Sequence, residues 1–93
     1  MEMRVEDVPE RSRYELTIDG RRAGLVSYRL APGVITFVHA EIDDAYVGHG
    51  LGTRLAAAVL DDARARGLAV RPNCPFIKEF IDEHTEYADL VAA

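Results

Sequence analysis

Three glycines at every second position, Gly48, Gly50 and Gly52, form the stretch whose spacing points most directly to chemistry. Glycine lets a backbone turn sharply and lets another group approach without a Cβ in the way. The residues that follow are predicted to form a helix, and the first amides of a helix have no partner inside it. With the helix dipole they favour an anion such as a phosphate. The alternative is a tight strand-to-helix connection, because isolated glycine patterns have a high false-positive rate.

The only cysteine, Cys74, precedes a proline at the predicted start of a second helix. Proline favours the first helical position, which makes Cys74 or Asn73 the N-cap. A helix N-terminus stabilises a thiolate, and nucleophilic cysteines often occupy that position. Most free cysteines are instead small, buried, apolar residues. The local sequence leaves both interpretations open.

His39 and Glu41 lie two positions apart on a predicted strand. Residues at that spacing share one face, so we expect both side chains to lie on the face of Phe37. An imidazole and a carboxylate need hydrogen-bonding partners if they are buried there. The structural alternative is a solvent-facing pair, or one that holds a neighbouring loop.

The other polar residues indicate no further chemistry. His49, beside the glycines, and His84, at a helix end, are predicted to be exposed. The three histidines lack the spacing of metal ligands, so no metal site is expected. There is no glycine-flanked serine and no Ser-His-Asp order that suggests a hydrolase. The acidic residues of the two helices are predicted to be solvated.

The glycines and the His39–Glu41 pair lie in a predicted strand, glycine-rich turn and long helix over residues 37–66. The strand is β-branched and aromatic. The helix is predicted over residues 54–66, and apolar residues already recur at steps of four from the glycines onward (Leu51, Leu55, Val59 and Ala63). That period predicts one buried stripe. Gly67 stands where a left-handed residue commonly ends a helix.

The remaining segments predict an α+β fold with a mixed sheet. Residues 13–19 and 22–30 form a hairpin around Asp19 and Gly20, and a third strand over residues 34–42 completes an antiparallel meander. A short strand over residues 68–71 follows the long helix, and a right-handed crossover makes it parallel to the third strand. Residues 1–12 are expected to fray or to form a short edge.

Two short helices are predicted at the C-terminal end. The first, over residues 76–84, carries an apolar stripe of Phe76, Ile77, Phe80 and Ile81. In the second, over residues 86–91, Thr85 is the expected cap. Its inward-facing residues are predicted to be Tyr87, Leu90 and Val91.

The composition fits one small domain over residues 1–93. A chain of 93 residues with 48% apolar residues is ordinary for a single core. One cysteine fits a reducing cytoplasm. The first residues lack the apolar core of a signal peptide, and no apolar run is long enough for a bilayer. A net charge of −5 weighs against nucleic acid as a partner. An anionic cofactor remains possible, because backbone amides act locally.

Three segments in this order carry a resemblance: residues 37–42, the glycines with their helix, and residues 72–77 followed by 86–90. They resemble the acetyl-CoA-binding core of the GCN5-related N-acetyltransferase (GNAT) superfamily, and more narrowly its short single-domain branch. Together with the preceding hairpin, the resemblance covers nearly the whole chain after residue 12. It implies an acetyl-CoA-dependent N-acetyltransferase that acts on an amine of unknown identity.

The resemblance also implies a cofactor site. The superfamily motif is Arg/Gln-x-x-Gly-x-Gly/Ala; Gly50 and Gly52 match its small positions, and Val47 stands where arginine or glutamine is usual. The glycine loop (residues 47–53) would donate amides to the CoA pyrophosphate. The pantetheine arm would lie where two parallel strands splay apart, next to Ile42 and Arg71. The implied cofactor-binding residues are Ile42, Val47, Gly48, His49, Gly50, Leu51, Gly52 and Thr53.

The implied catalytic residues are Cys74, Glu41 and His39. The resemblance implies that Cys74 lies close to the thioester of acetyl-CoA. Members of the short branch also tend to have a His-x-Glu pair, which is His39 and Glu41 in this chain. An attacking amine must be neutral, so a base or a water chain is needed, with Glu41 and His39 as candidates. Cys74 could instead accept the acetyl group first. The sequence does not decide between direct and covalent transfer.

One missing feature motivates a second hypothesis. Larger acetyltransferases of the superfamily have N-terminal helices that form much of the acceptor wall, and the turn at Asp19 and Gly20 leaves no room for them. The acceptor site should be shallow, open or completed by another chain, and we expect a monomer or a weak homodimer. The alternative function is a CoA-binding module without turnover, acting as a sensor or an accessory subunit. A plain interaction domain is a third.

Overall fold

The computed structural model describes residues 2–92, which form a five-stranded sheet and two α-helices. The strands are β1 (Met3–Val8), β2 (Arg13–Ile18), β3 (Arg21–Ala31), β4 (Val34–Ile42) and β5 (Ala69–Pro72). The helices are α1 (Leu51–Ala65) and α2 (Pro75–Glu83). Short 3-10 helices cover Pro9–Arg11, Asp44–Tyr46 and Thr85–Leu90.

The strands lie in the order β1-β2-β3-β4-β5. The first four are antiparallel neighbours, and β5 pairs with β4 in parallel after the crossover through α1. The predicted α+β class, the meander and the parallel strand are confirmed. Residues 3–8 form the edge strand β1, which is the short-edge alternative for the N-terminal segment.

The core lies between one face of the sheet and the two helices. Strand β2 alternates between half-buried and fully buried residues, as expected when only one face is covered. The predicted stripe of α1 is confirmed, because its apolar positions are almost completely buried. Burying a side chain such as Leu55 contributes about 1.5–3 kcal/mol. Gly67 has a left-handed φ of 69°. The Leu68 N–H donates to the Ala63 carbonyl at 2.9 Å, which closes the helix as predicted.

A β-bulge at Val38 changes which residues of β4 face the core. Tyr28 pairs with Phe37 and Ser27 pairs with His39, so Val38 is an extra residue in its strand. Phe37 is fully buried, whereas His39 and Glu41 are exposed on the opposite face. The prediction that the pair shares a face with Phe37 is therefore wrong. Strict alternation holds only in a strand without an inserted residue.

The C-terminal segment differs from the prediction in four side chains. His84, predicted to be exposed, is half-buried and stacks on the Phe80 ring. Phe76, the first member of the apolar stripe, stays 40% exposed, while the other three members are buried. Leu90 is buried, but Val91 is exposed and forms a parallel bridge to Val70 of β5. Thr85 is the first residue of the last 3-10 helix rather than its cap. The C-terminal segment therefore covers the outer side of β5.

A polar network ties the edge strand β1 to α1. The Tyr28 hydroxyl donates to Asp7 at 2.6 Å, and the Tyr14 hydroxyl donates to Asp62. The Arg66 guanidinium contacts Asp7 at 3.3 Å and completes the network. Burial, followed by the hydrogen bond to Asp7, raises the pKa of Tyr28 to about 12. Burial and the hydrogen bond to Asp62 raise the pKa of Tyr14 far above its ordinary value.

Candidate active site

The sheet opens midway along β4. Parallel pairing with β5 runs from Val34 and Ala69 to Phe37 and Pro72 and then stops. The Cys74 N–H donates to the Phe37 carbonyl at 2.9 Å, after which the chain turns into α2. Within residues 2–92 no strand lies beside the rest of β4 on this side. The open edge can offer unpaired backbone donors and acceptors to a ligand.

The backbone groups of Ala40 and Ile42 face this opening. The Asp43 N–H donates to the Ala23 carbonyl at 2.8 Å, so Asp43 is turned towards β3. Successive residues of a strand point their backbone groups to alternate sides. Because Asp43 faces β3, the backbone groups of Glu41 also face β3, and those of Ile42 and Ala40 point away from it. The extra residue Val38 separates this set from Phe37, whose carbonyl also points to the β5 side.

A narrow, largely apolar cleft of about 140 Å³ lies along the open edge. Its walls are formed by Ala40, Glu41, Ile42, Leu55 and Phe76. The strand supplies one wall with amides and carbonyls, and the helices supply the other with apolar side chains. Such a cleft suits a slender ligand arm that carries its own amides, because apolar walls with a few placed polar groups fix a ligand's orientation.

Unpaired amides at the start of α1 lie next to the cleft. The sequence predicts a helix that begins at residue 54, but the observed helix begins at Leu51. Gly52 and Thr53 therefore belong to its first turn and not to the preceding loop. The first helical N–H to find a backbone acceptor is that of Arg54, which donates to the Gly50 carbonyl at 3.4 Å. No side chain caps this N-terminus. Its first three amides and the dipole can therefore hold an anion.

The glycines before and inside α1 are required for different reasons. Gly48 and Gly50 have φ values of 91° and 70°, a backbone conformation that L-residues rarely adopt. A Cβ at Gly50 would meet nothing within 4 Å. Gly52 has an ordinary helical backbone, but a Cβ there would lie 3.0 Å from Cζ of Phe76. The turn therefore needs the first two glycines, and the Phe76 ring needs the third.

His39 and Glu41 lie beside the cleft on the open face of the sheet. The His39 Nε2 is 3.0 Å from a carboxylate oxygen of Glu41, and both side chains are largely exposed. Glu41 also belongs to the cleft wall. Each member of the pair can accept a proton, and each is open to solvent. The pair could therefore receive a proton from a group that approaches the cleft from this face.

Cys74 lies at the point where β4 and β5 separate. Of the two predicted candidates it is Cys74, not Asn73, that is the N-cap of α2, and its amide donates to the Phe37 carbonyl. Its side chain is only 2% exposed and packs in the hydrophobic core. This burial is what the apolar alternative requires. The backbone of Cys74 thus adjoins the opening, whereas its thiol belongs to the core.

The other predicted positions are distributed around the opening. Ile42 lines the cleft, Val47 is 62% exposed, and His49 is exposed in the turn just before α1. Three residues of the cleft wall are not predicted by the sequence: Ala40, Leu55 and Phe76. Ala40 depends on the bulge and Phe76 on its contact with Gly52, and neither arises from residues close in sequence. Leu55 was visible only as a core position.

Within the described range 2–92, no three His, Cys, Asp or Glu side chains come together as metal ligands. Neither α-helix in that range has the length and apolar character to span a bilayer.

Comparison with known proteins fits this geometry. The family model for the GCN5-related N-acetyltransferase matches residues 13–90. The chain belongs to this family. Among its relatives, Protein NATD1 of Bos taurus is 30% identical over 84 residues, which cover 88% of this chain and 74% of that protein. Protein NATD1 of Mus musculus is 29% identical over 84 residues, with 88% of this chain and 76% of that protein covered.

Solved structures of GNAT proteins share the fold. A GCN5-like protein from Staphylococcus aureus superposes with a TM-score of 0.72 at 21% identity, over 97% of this chain and 88% of its own. The ribosomal-protein-S18-alanine N-acetyltransferase of Escherichia coli gives a TM-score of 0.59 at 25% identity. That match covers 62% of this chain and only 38% of the enzyme. The resemblance inferred from the sequence is therefore confirmed at the level of family and fold.

Proposed function

We propose that this protein is an acetyl-CoA-dependent N-acetyltransferase that acts on an amine of unknown identity. The observation that carries the proposal is the opening of the sheet after Phe37 and Pro72, beside the uncapped start of α1. A strand edge rich in backbone donors and acceptors thereby adjoins an anion site. A ligand with a pyrophosphate and a slender amide-bearing arm fits both parts, and acetyl-CoA is the general cofactor of the GNAT family.

Separate parts of the chain would hold the cofactor. The first-turn amides of Leu51, Gly52 and Thr53 would bind the pyrophosphate. The backbone groups of Ala40 and Ile42 would pair with the amides of the pantetheine arm. The cofactor supplies an activated acetyl thioester. Fixing that thioester and the amine in one geometry contributes much of the rate enhancement of such reactions.

The proton of the acceptor amine would pass to His39 and Glu41. The amine attacks only when neutral, and this pair offers two bases 3.0 Å apart beside the cleft. We favour direct transfer to the amine, because the Cys74 thiol is buried and would have to leave the core to attack a thioester. Incubation with acetyl-CoA alone should then leave no acetyl group on Cys74. A stable adduct seen by mass spectrometry would favour the covalent route.

Thermal unfolding with and without acetyl-CoA tests the cofactor. A ligand at about 100 times its Kd stabilises the native state by about 2.7 kcal/mol, which raises the Tm of a chain this small by about 10 °C or more. A panel of amines is then incubated with the protein and acetyl-CoA, and mass spectrometry tests whether an acetyl group is transferred to any of them. An unchanged Tm at saturating acetyl-CoA would contradict the proposal.

The open sheet face supports a second candidate, a CoA-binding module without turnover. His39 and Glu41 are exposed, and the β2–β3 hairpin turns tightly at Asp19 and Gly20 without any helix that could form an acceptor wall. A raised Tm with acetyl-CoA, but no acetylated product from any amine in the panel, would favour this module over the enzyme.

A further inference from the structure

Phe76 is a large aromatic side chain that the core does not use. It occupies the first turn of α2 and is 40% exposed, although the apolar residues that follow it on the same helix are buried. Exposing an aromatic ring forgoes the stabilisation that burial would give. Its neighbour Ile77 already fills the core at this end of the helix. The position of the ring therefore suggests a role outside folding.

The Phe76 ring separates two depressions. On one side is the cleft along the open edge of β4, and on the other a groove of about 160 Å³ beside α2. Glu79 and Glu83 line the groove. Thr53, whose amide belongs to the anion site, also lines this groove, so the charge of the two glutamates acts on the phosphates of CoA and not on its uncharged arm. The ring is thus a wall that the cleft and the groove share.

The Phe76 ring packs against Gly52 at the start of α1. The nearest heavy atoms to a Cβ at Gly52 all belong to the Phe76 ring, the closest at 3.0 Å. A methyl group at Gly52 would push the ring away by a few tenths of an ångström. Because Gly52 is also in the first turn of α1, the ring lies directly beside the unpaired amides of the anion site.

We propose that Phe76 is a cofactor-positioning residue whose ring holds the pantetheine arm against the open edge of β4, and that Gly52 is required to seat this ring. The inference rests on the proposed function. It assigns Gly52 a task different from that of Gly50: Gly50 allows the backbone to turn, and Gly52 leaves space for a side chain.

Calorimetric titration with two ligands tests the role of the ring. Coenzyme A has both the nucleotide and the arm, whereas adenosine 3′,5′-bisphosphate lacks the arm. Phe76→Ala should lower the affinity for coenzyme A about tenfold, because one apolar contact surface is lost. It should leave the bisphosphate within about twofold of the parent chain. The control Leu30→Ala truncates another exposed apolar side chain, 52% exposed and away from the cleft, and should change neither affinity.

A double-mutant cycle tests the role of Gly52. Gly52→Ala should lower the affinity for coenzyme A several-fold when Phe76 is present. It should have little effect in the Phe76→Ala background, because the effects of mutating two residues in contact are not additive. An equal loss in both backgrounds would mean that the methyl group meets the cofactor directly, which would overturn the seating role. Phe76→Leu keeps an apolar wall and should show a smaller loss than Phe76→Ala.

The outcomes separate the inference from the function beneath it. If the parent chain binds coenzyme A and Phe76→Ala binds it equally well, the role of the ring is wrong and the proposed function stands. An equal loss of both ligands in Phe76→Ala would also overturn it, because the ring would then act on the nucleotide or on folding. If the parent chain binds neither ligand, the proposed function fails and the inference fails with it.

Discussion

Gly50 offers a residue-scale test of the anion site. Its φ of 70° and the open space around its Cβ position mean that a side chain there strains only the backbone. We expect Gly50→Val to lower the free energy of unfolding by about 1–2 kcal/mol. It should also lower the affinity for coenzyme A, because the side chain blocks close approach of the phosphates. Urea unfolding and calorimetric titration measure the two effects.

Gly33 supplies the matched control. It also has a left-handed φ, 75°, and open space at its Cβ, but it lies in the turn between β3 and β4. Gly33→Val should lose similar stability and keep its affinity for coenzyme A. Equal affinities for the two folded variants would remove Gly50 from the site.

Glu41 can be tested as a base at the same scale. Glu41→Gln removes the carboxylate while preserving shape, so turnover should fall by about 100-fold or more. The affinity for coenzyme A should change little, and the pH–rate profile should lose a limb. The control Glu15→Gln changes a carboxylate that Arg13 holds at 2.7 Å on another strand. Turnover of Glu41→Gln close to that of this control at every pH would assign the His39 pair a structural role.

At the scale of elements, the sequence predicts what depends on local periodicity. The spacing of Leu55 and Val59 predicts the buried stripe of α1, and the turn at Asp19 and Gly20 predicts the hairpin. The bulge at Val38 depends on how β4 pairs with β3, and valine looks like any strand residue. For that reason the orientation of His39 relative to Phe37 could not be read from spacing, and neither could the open edge.

Deleting Val38 tests whether the bulge creates the opening. Bulges bend the strand that contains them, and parallel pairing stops one residue before this one. Without Val38, the pairs Tyr28–Phe37 and Ser27–His39 can follow each other without a break. We expect the deletion to fold, and to bind coenzyme A at least about tenfold more weakly because β4 then no longer bends where β5 ends.

Val38→Ala is the control for that deletion. It keeps the length of the strand and therefore the bulge, and it removes only an exposed side chain. Its affinity should match that of the parent chain. A deletion variant that folds and binds as tightly as Val38→Ala would separate the opening from the bulge.

At the scale of the whole molecule, the network of Tyr28, Asp7 and Arg66 predicts how stability responds to alkali. The folded state raises the pKa of Tyr28 from 10 to about 12. Its neutral phenol therefore contributes its full stability below about pH 10 and loses it between pH 10 and about pH 12. The unfolding free energy should fall across that window as the hydrogen bond between Tyr28 on β3 and Asp7 on β1 is lost.

Tyr28→Phe should begin less stable at neutral pH by about 1.5–3 kcal/mol, the usual value of a hydrogen bond to a charged group. It should then lose less stability than the parent chain above about pH 10. Urea midpoints of both chains between neutral and alkaline pH provide the measurement. Parallel curves would show that Tyr28 does not carry the alkaline response.

The parallel pair of β4 and β5 has a consequence for the order in which the molecule assembles. The first four strands meet through short connections, whereas β4 and β5 meet only after all of α1 has been placed between them. Contacts between distant parts of a chain are slow to form because the intervening loop must close first. The junction that opens towards the proposed cofactor should therefore be the last part to fold and among the first to open. Coenzyme A would then bind the latest-forming unit, and amide hydrogen exchange in β5 and α2 should slow more on binding than exchange in the β2–β3 hairpin.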